Sequence, residues 1–177
     1  IKKIESDLTN SFLTIINSGI SVKRVDSKNY QIHKFTPKSF LKVFNNKYIG
    51  AGAMIYTQKE ADFFKNKKII ENFWKINEEE FFSYFNKILD EFNYELSQKQ
   101  KYEMISKYSL SEVKRIILEN ENIRETVFTG KNDFEEPFGA SLSFINNKLE
   151  KFKYSNFYVS QGSGRLKTHA LVIKPKI

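Results

Sequence analysis

A chain of 177 residues fits a single domain, which at this size buries about 70% of the surface that its unfolded chain exposes. Apolar residues make up 40% of the chain, aromatic residues 15% and charged residues 28%, and this composition argues against an intrinsically disordered protein. Cysteine is absent, which excludes disulfides, thiolate metal sites and a cysteine nucleophile, while the net charge of +8 favours an anionic partner.

The chain lacks the apolar run of about 18 residues that a membrane span needs, so we expect a soluble single domain over residues 1–177 with no membrane partner. It starts at Ile1 rather than at methionine, which indicates a piece of a longer protein. The sequence identifies no compartment, and an intracellular one is favoured. Frequent Lys, Asn, Ile and Phe indicate an AT-rich genome, which weakens arguments from lysine content alone.

The first third of the chain predicts a helix followed by two strands. Apolar residues of 3–18 repeat at helical spacing, and Gly19 provides a left-handed residue to end that helix. The segments 20–25 and 30–35 flank the turn-forming residues 26–29, which predicts a β-hairpin.

A short helix and a buried strand are predicted next. Thr36 followed by Pro37 is typical of a helix start, and the two asparagines at 45–46 end the helix. The glycine-containing segment 47–56 predicts a buried strand. The apolar residues of the short helix that we expect to point inward are Phe40, Leu41 and Phe44.

The segment 58–127 has a helical pattern throughout. Helix starts are predicted by capping boxes at 57–60 and 109–112 and by the N-caps Asn77 and Ser97.

Residues 78–95 form the clearest of these predicted helices. It opens with three glutamates, where the helix dipole favours negative charge. Its aromatic stripe, with Phe73 and Trp74 before it, fits core packing better than a ligand groove. The residues expected to be buried are Phe81, Phe85, Ile88 and Phe92.

The last forty residues change to an alternating pattern. Strands are predicted at 138–145, 148–160 and 165–174, with turns at 146–147 and 161–164, which gives an antiparallel meander. The fold class is therefore α+β, with an N-terminal helix and β-hairpin, a central helical segment and a C-terminal antiparallel β-meander.

Basic residues are concentrated in the predicted strands, whereas the helical middle is mildly acidic. Such residues can track a phosphate backbone, or they can form the ordinary solvated face of a sheet, and the sequence leaves both open. The alternation of side chains along a strand gives one shared face to Lys151 and Lys153 and another to Arg165, Lys167 and His169. These residues are the candidate nucleic-acid-binding residues, and Lys23 with Arg24 is a second patch.

Two glycine-containing segments resemble phosphate-binding turns. The turn Gly162, Ser163 and Gly164 precedes Arg165 and offers backbone N–H groups to a phosphate, although most such sequences are plain hairpin turns. Residues 50–53 lack the Gly-Lys-Ser/Thr of a phosphate loop, so a packed strand explains them better.

Patterns for catalysis and metal binding are weak. The two histidines, His33 and His169, are far apart in sequence, and neither has a neighbouring base and orienting group. The loop acids Asp133, Glu135 and Glu136 lack the acid-x-Lys partner strand of metal-dependent nucleases. We predict no metal and no cofactor, and enzymatic activity stays undecided.

The leading hypothesis is an accessory nucleic-acid-binding domain that contacts backbone phosphates. The alternative is a protein-interaction or structural domain of a larger assembly, which the many aromatic residues favour. A third hypothesis, an enzyme acting on a phosphorylated substrate or a nucleic acid, depends on the two glycine turns alone.

Overall fold

The structure, a computed structural model, describes the chain in several stretches, and for residues 20–24, 129, 139–145 and 148–151 it describes the backbone alone. The predicted helix over 3–18 lies outside the described residues. The described stretches are 20–24, 31–59, 61–92, 94–129, 139–145, 148–151, 156–162 and 169–176.

Seven α-helices and two three-stranded sheets make up the described part of the chain. The helices are α1 (Pro37–Phe44), α2 (Lys47–Met54), α3 (Asp62–Lys68), α4 (Glu78–Tyr84), α5 (Asn86–Leu89), α6 (Gln98–Glu119) and α7 (Glu121–Thr129), and a π-helical turn over Ile69–Phe73 follows α3. The strands are β1 (Ile20–Arg24), β2 (His33–Phe35), β3 (Gly139–Ile145), β4 (Lys148–Lys151), β5 (Phe157–Gln161) and β6 (Leu171–Pro175). This mixture confirms the α+β class.

The strands pair across long stretches of sequence. One sheet has the order β1-β3-β4, in which β1 is parallel to β3 and β3 is antiparallel to β4. The other has the order β2-β6-β5 and is antiparallel throughout.

The predicted hairpin of 20–25 with 30–35 is wrong, because β1 and β2 lie in different sheets. Phe35 is fully buried and pairs with Leu171, and His33 pairs with Ile173, which is also buried. Burying these apolar side chains outweighs the preference of a local turn.

The C-terminal meander is correct only in its local pairs. β3 pairs with β4 and β5 pairs with β6, but the predicted strand over 148–160 divides between the two sheets. β6 begins at Leu171 rather than at 165, and it lies between β2 and β5. Residues 171–173 of this central strand are all buried.

Residues 47–56 do not form the predicted strand, because 47–54 are helix α2. The Asn46 side chain caps the helix by accepting a hydrogen bond from the Ile49 N–H (3.1 Å). Small residues let α2 pack closely on its neighbours: Gly52 faces Ser109 of α6, and Gly50 faces Phe40 and Trp74. Close helix packing therefore explains the two glycines.

The N-caps in the helical middle are partly as predicted. Asn77 accepts a hydrogen bond from the Glu80 N–H (2.7 Å), and Ser97 forms a capping box with Gln100. The start predicted at 57–60 is wrong, because the helix begins at Asp62, whose carboxylate accepts from the Lys59 N–H (2.9 Å). The box predicted at 109–112 lies inside the 22-residue helix α6.

The predicted helix over 78–95 is broken after Tyr84 and ends at Leu89. Phe81 and Phe85 are buried as predicted, and Ile88 is partly buried. Phe92 lies beyond the helix and is 39% exposed, so the prediction that it is buried is wrong.

In α1, Phe40 and Phe44 are buried as predicted. Leu41 is exposed, because it lies on the helix face turned away from the core.

The core lies between the helices and the sheet β2-β6-β5. Trp74 is buried in it, so it does not line an open groove. No described helix is long and apolar enough to cross a membrane. The largest fully buried side chains include Tyr102, Phe35, Phe40, Phe81, Phe85, Phe128 and Phe157.

Candidate nucleic-acid interface

The sheet β1-β3-β4 joins two basic segments that are far apart in sequence. Lys23 and Arg24 end β1, Lys151 ends β4, and β3 runs between them. Lys23 is in register with Ser143, and Lys151 is in register with Leu142. Because neighbouring strands are about 4.8 Å apart, the outer strands lie about 10 Å from each other. The sequence had suggested two separate patches.

Several candidate residues have no described position. Lys153, Ser163, Gly164, Arg165 and Lys167 all lie outside the described residues. Their role in binding stays a prediction.

His169 does not lie on the terminal strand, because β6 begins two residues later. Its ring is partly buried, with its centroid 4.3 Å from that of Phe73 and 6.5 Å from that of Tyr56. Its Nδ1 is buried and has no hydrogen-bond partner among the described residues. Burial, and then the nearby Lys68 ammonium, lower the pKa of His169 below its usual value.

This lowered pKa predicts a loss of stability in mild acid. The folded state holds His169 neutral while the unfolded chain takes up a proton, so the contribution is complete above about pH 6.5 and declines as the pH falls through the folded-state pKa. Urea unfolding of the parent chain should therefore show a larger drop between pH 8 and pH 5 than that of His169→Gln. An equal drop in both proteins would show that another group is responsible.

Gly162 is held by one hydrogen bond at its N–H and one at its carbonyl. Its N–H donates to the Ala170 carbonyl oxygen (2.6 Å), and its own carbonyl accepts from the Tyr56 hydroxyl (3.0 Å). A Cβ at this position would lie 2.9 Å from the Ala170 oxygen, which explains the glycine. The N–H of Gly162 is therefore not free for a phosphate, and a phosphate-binding turn would depend on Ser163 and Gly164.

The Tyr56 backbone is fixed by Asn66. The Asn66 Oδ1 accepts from the Tyr56 N–H and its Nδ2 donates to the Tyr56 carbonyl, both at 2.7 Å. Nearby, the Gln161 side-chain amide donates to the Ile55 carbonyl and to the Ser106 hydroxyl. These contacts join the end of β5 to the segment between α2 and α3 and to α6.

The phosphate-loop alternative for 50–53 is wrong. These residues are buried in the interior of α2, and their N–H groups belong to a helix rather than to an open loop.

The other histidine, His33, is buried, and its Nδ1 donates to the Val127 carbonyl (3.0 Å). No group of three or more His, Asp or Glu side chains in the described part of the chain is arranged to hold a metal ion.

The glutamates that open α4 do more than complement the helix dipole. Glu80 accepts hydrogen bonds from the Tyr48 hydroxyl and from Lys47 Nζ (3.2 Å), and these contacts, in that order, lower its pKa. Glu78 accepts from the Tyr102 hydroxyl (2.7 Å). These glutamates connect α4 to α2 and to α6, so their role is structural.

The sequence did not predict the exposure of two phenylalanines, of which Phe73 contacts the His169 ring. Phe64 in α3 is 86% exposed, and Phe73 in the π-helical turn is 44% exposed. A signal was present, because the adjacent Phe63 and Phe64 cannot both face the core from one helix. Phe63 is the one that packs against it.

Comparisons of this chain with protein-family profiles, with curated proteins and with solved structures find no match.

Proposed function

We propose that this chain is a nucleic-acid-binding domain that contacts backbone phosphates through the sheet β1-β3-β4. The observation that supports the proposal is the strand order, which brings the Lys23-Arg24 segment into one sheet with Lys151. The three strands carry four basic residues and one acidic residue, Glu150. Basic groups on neighbouring strands can contact successive phosphates and release condensed counterions.

Binding through phosphates predicts a specific salt dependence. Replacing Arg24 and Lys151 with glutamine should weaken oligonucleotide binding nearly equally for all sequences and reduce the slope of log affinity against log salt by about one unit per lost contact. Fluorescence anisotropy of a labelled oligonucleotide across a salt series measures the slope. The pair Arg165→Ala and Lys167→Ala tests the terminal basic segment in the same way.

A matched control removes two lysines elsewhere. Lys99 and Lys107 are exposed on α6, and their replacement by glutamine makes the same change in net charge. This control should keep the parent slope. If the control lowers the slope as much as the sheet variant does, binding follows net charge and the sheet is not the site; if the parent chain does not bind at low salt, the proposal is wrong.

The protein-interaction alternative is favoured by a different observation. Large apolar side chains such as Phe64, Tyr94 and Leu41 are exposed, and a protein partner could cover them. The enzyme alternative has lost much of its support, because one of its two glycine segments is a buried helix.

A further inference from the structure

The segment of α3 and the following π-helical turn displays two phenylalanines that the core does not cover. Phe64 is 86% exposed and Phe73 is 44% exposed. Exposed phenylalanine forgoes the free energy that burial of its ring would give. The exposure of two such rings on one helical segment is typical of a binding surface rather than of scattered surface residues.

The π-helical turn aligns these rings with a lysine. Lys68 follows Phe64 by four residues, which gives them the same face of α3. In the π turn the Trp74 N–H donates to the Ile69 carbonyl (3.2 Å), five residues back. The residue above Lys68 is then Phe73 rather than Asn72. Consistent with this, Phe73 contacts the His169 ring and Lys68 is close enough to lower the His169 pKa.

Among the described residues, no carboxylate neutralises the charge of Lys68. Lys65 pairs with Asp62 (2.8 Å) and Lys67 approaches Glu71 (3.9 Å), whereas Lys68 has no carboxylate partner within the described residues. A lysine that has no carboxylate partner among the described residues, on the same helical segment as two exposed rings, favours an anionic ligand with flat aromatic groups.

We propose that the surface formed by Phe64, Lys68, Phe73 and His169, here named the aromatic–lysine surface, binds unpaired bases of a single-stranded nucleic acid. Bases stack on the exposed rings, and Lys68 contacts a phosphate between them. A duplex keeps its base faces stacked inside the helix, so it cannot use the rings. This inference rests on the proposed function and adds the ligand class to it.

The test compares an aromatic side chain with an aliphatic one at position 64, the more exposed of the two phenylalanines. Phe64→Leu keeps an apolar group but loses the aromatic face, whereas Phe64→Trp keeps the face. We expect Phe64→Leu to weaken binding of a labelled single-stranded 12-mer by at least fivefold, as expected for the loss of one stacked base, and Phe64→Trp to stay within twofold of the parent. Binding of the corresponding duplex should not change in either variant.

The control is Tyr94→Leu, which removes an exposed ring from the segment between α5 and α6. It should bind as the parent does, and circular dichroism melts confirm that each variant is folded. Lys68→Gln should reduce the salt slope for the single strand by about one unit.

The outcomes distinguish this inference from the proposed function. If Phe64→Leu binds the single strand like the parent while the sheet variant does not, the aromatic–lysine surface is not a base-binding site and the proposed function stands. If the parent binds neither single strand nor duplex, both proposals fail. Self-association that Phe64→Ala abolishes in analytical ultracentrifugation would assign the surface to a second copy of the chain and overturn the inference.

Discussion

Gly50→Ala is expected to destabilise the fold by about 2 kcal/mol, although the same change in an exposed helix stabilises by about 1 kcal/mol. Gly50 lies in the middle of α2, and a Cβ there would be 2.7 Å from both Trp74 Cζ3 and Phe40 Cδ1. Both rings are buried and packed edge to face, with centroids 5.8 Å apart, so neither can move away without disturbing the core.

Urea unfolding of the parent and variant measures this effect. A smaller ring at position 74 should partly relieve the clash, so Gly50→Ala combined with Trp74→Phe should cost less than the sum of the two single changes. A stabilised Gly50→Ala protein would show that α2 is not packed as described.

Three of the helix caps could be predicted from the sequence because a cap is a local interaction. Thr36, Asn77 and Ser97 each accept a hydrogen bond from an N–H three residues later, and nothing distant is needed. The box predicted at 109–112 shows the limit: the same residue types lie inside α6, where Ser109 packs against Gly52. The local sequence allows residues 109–112 either to begin a helix or to lie inside one, and tertiary packing selects the second.

Strand pairing could not be predicted in the same way. β1 pairs with β3 and β2 pairs with β6, across more than a hundred residues, whereas the sequence displays only the turn that separates β1 from β2. Which strands meet depends on the whole set of apolar faces to be buried, and local turn preference is small beside that free energy.

In the candidate site, too, the residues could be predicted from the sequence but their arrangement in space could not. The basic residues Lys23, Arg24 and Lys151 are visible in the sequence, but their meeting in one sheet depends on the long-range pairing of β1 with β3. The alignment of Phe73 with Lys68 depends on a π-helical turn, for which the sequence carries no local signal.

Replacing Asn66 with alanine is expected to destabilise the chain by about 3 kcal/mol. Asn66 is fully buried, and its amide forms hydrogen bonds with both the N–H and the carbonyl of Tyr56. Alanine removes both of these buried hydrogen bonds, at about 1–3 kcal/mol for each. Tyr56 in turn donates to Gly162 and lies beside His169, so the loss should also loosen the end of β5.

Urea unfolding again provides the measurement, with Asn72→Ala as the control. Asn72 is an exposed asparagine in the adjacent π-helical turn, and its replacement should change the free energy of unfolding by less than about 0.5 kcal/mol.

Asn66→Asp separates the two hydrogen bonds, because a carboxylate still accepts from the Tyr56 N–H but repels the Tyr56 carbonyl. A protonated carboxyl can donate to that carbonyl, so its folded-state pKa is raised, and the stability it contributes is lost as the pH rises through that value. The Asp variant should therefore lie closer to the parent at pH 4 than at pH 8, and a gap that does not change with pH would show that the bond to the carbonyl contributes little.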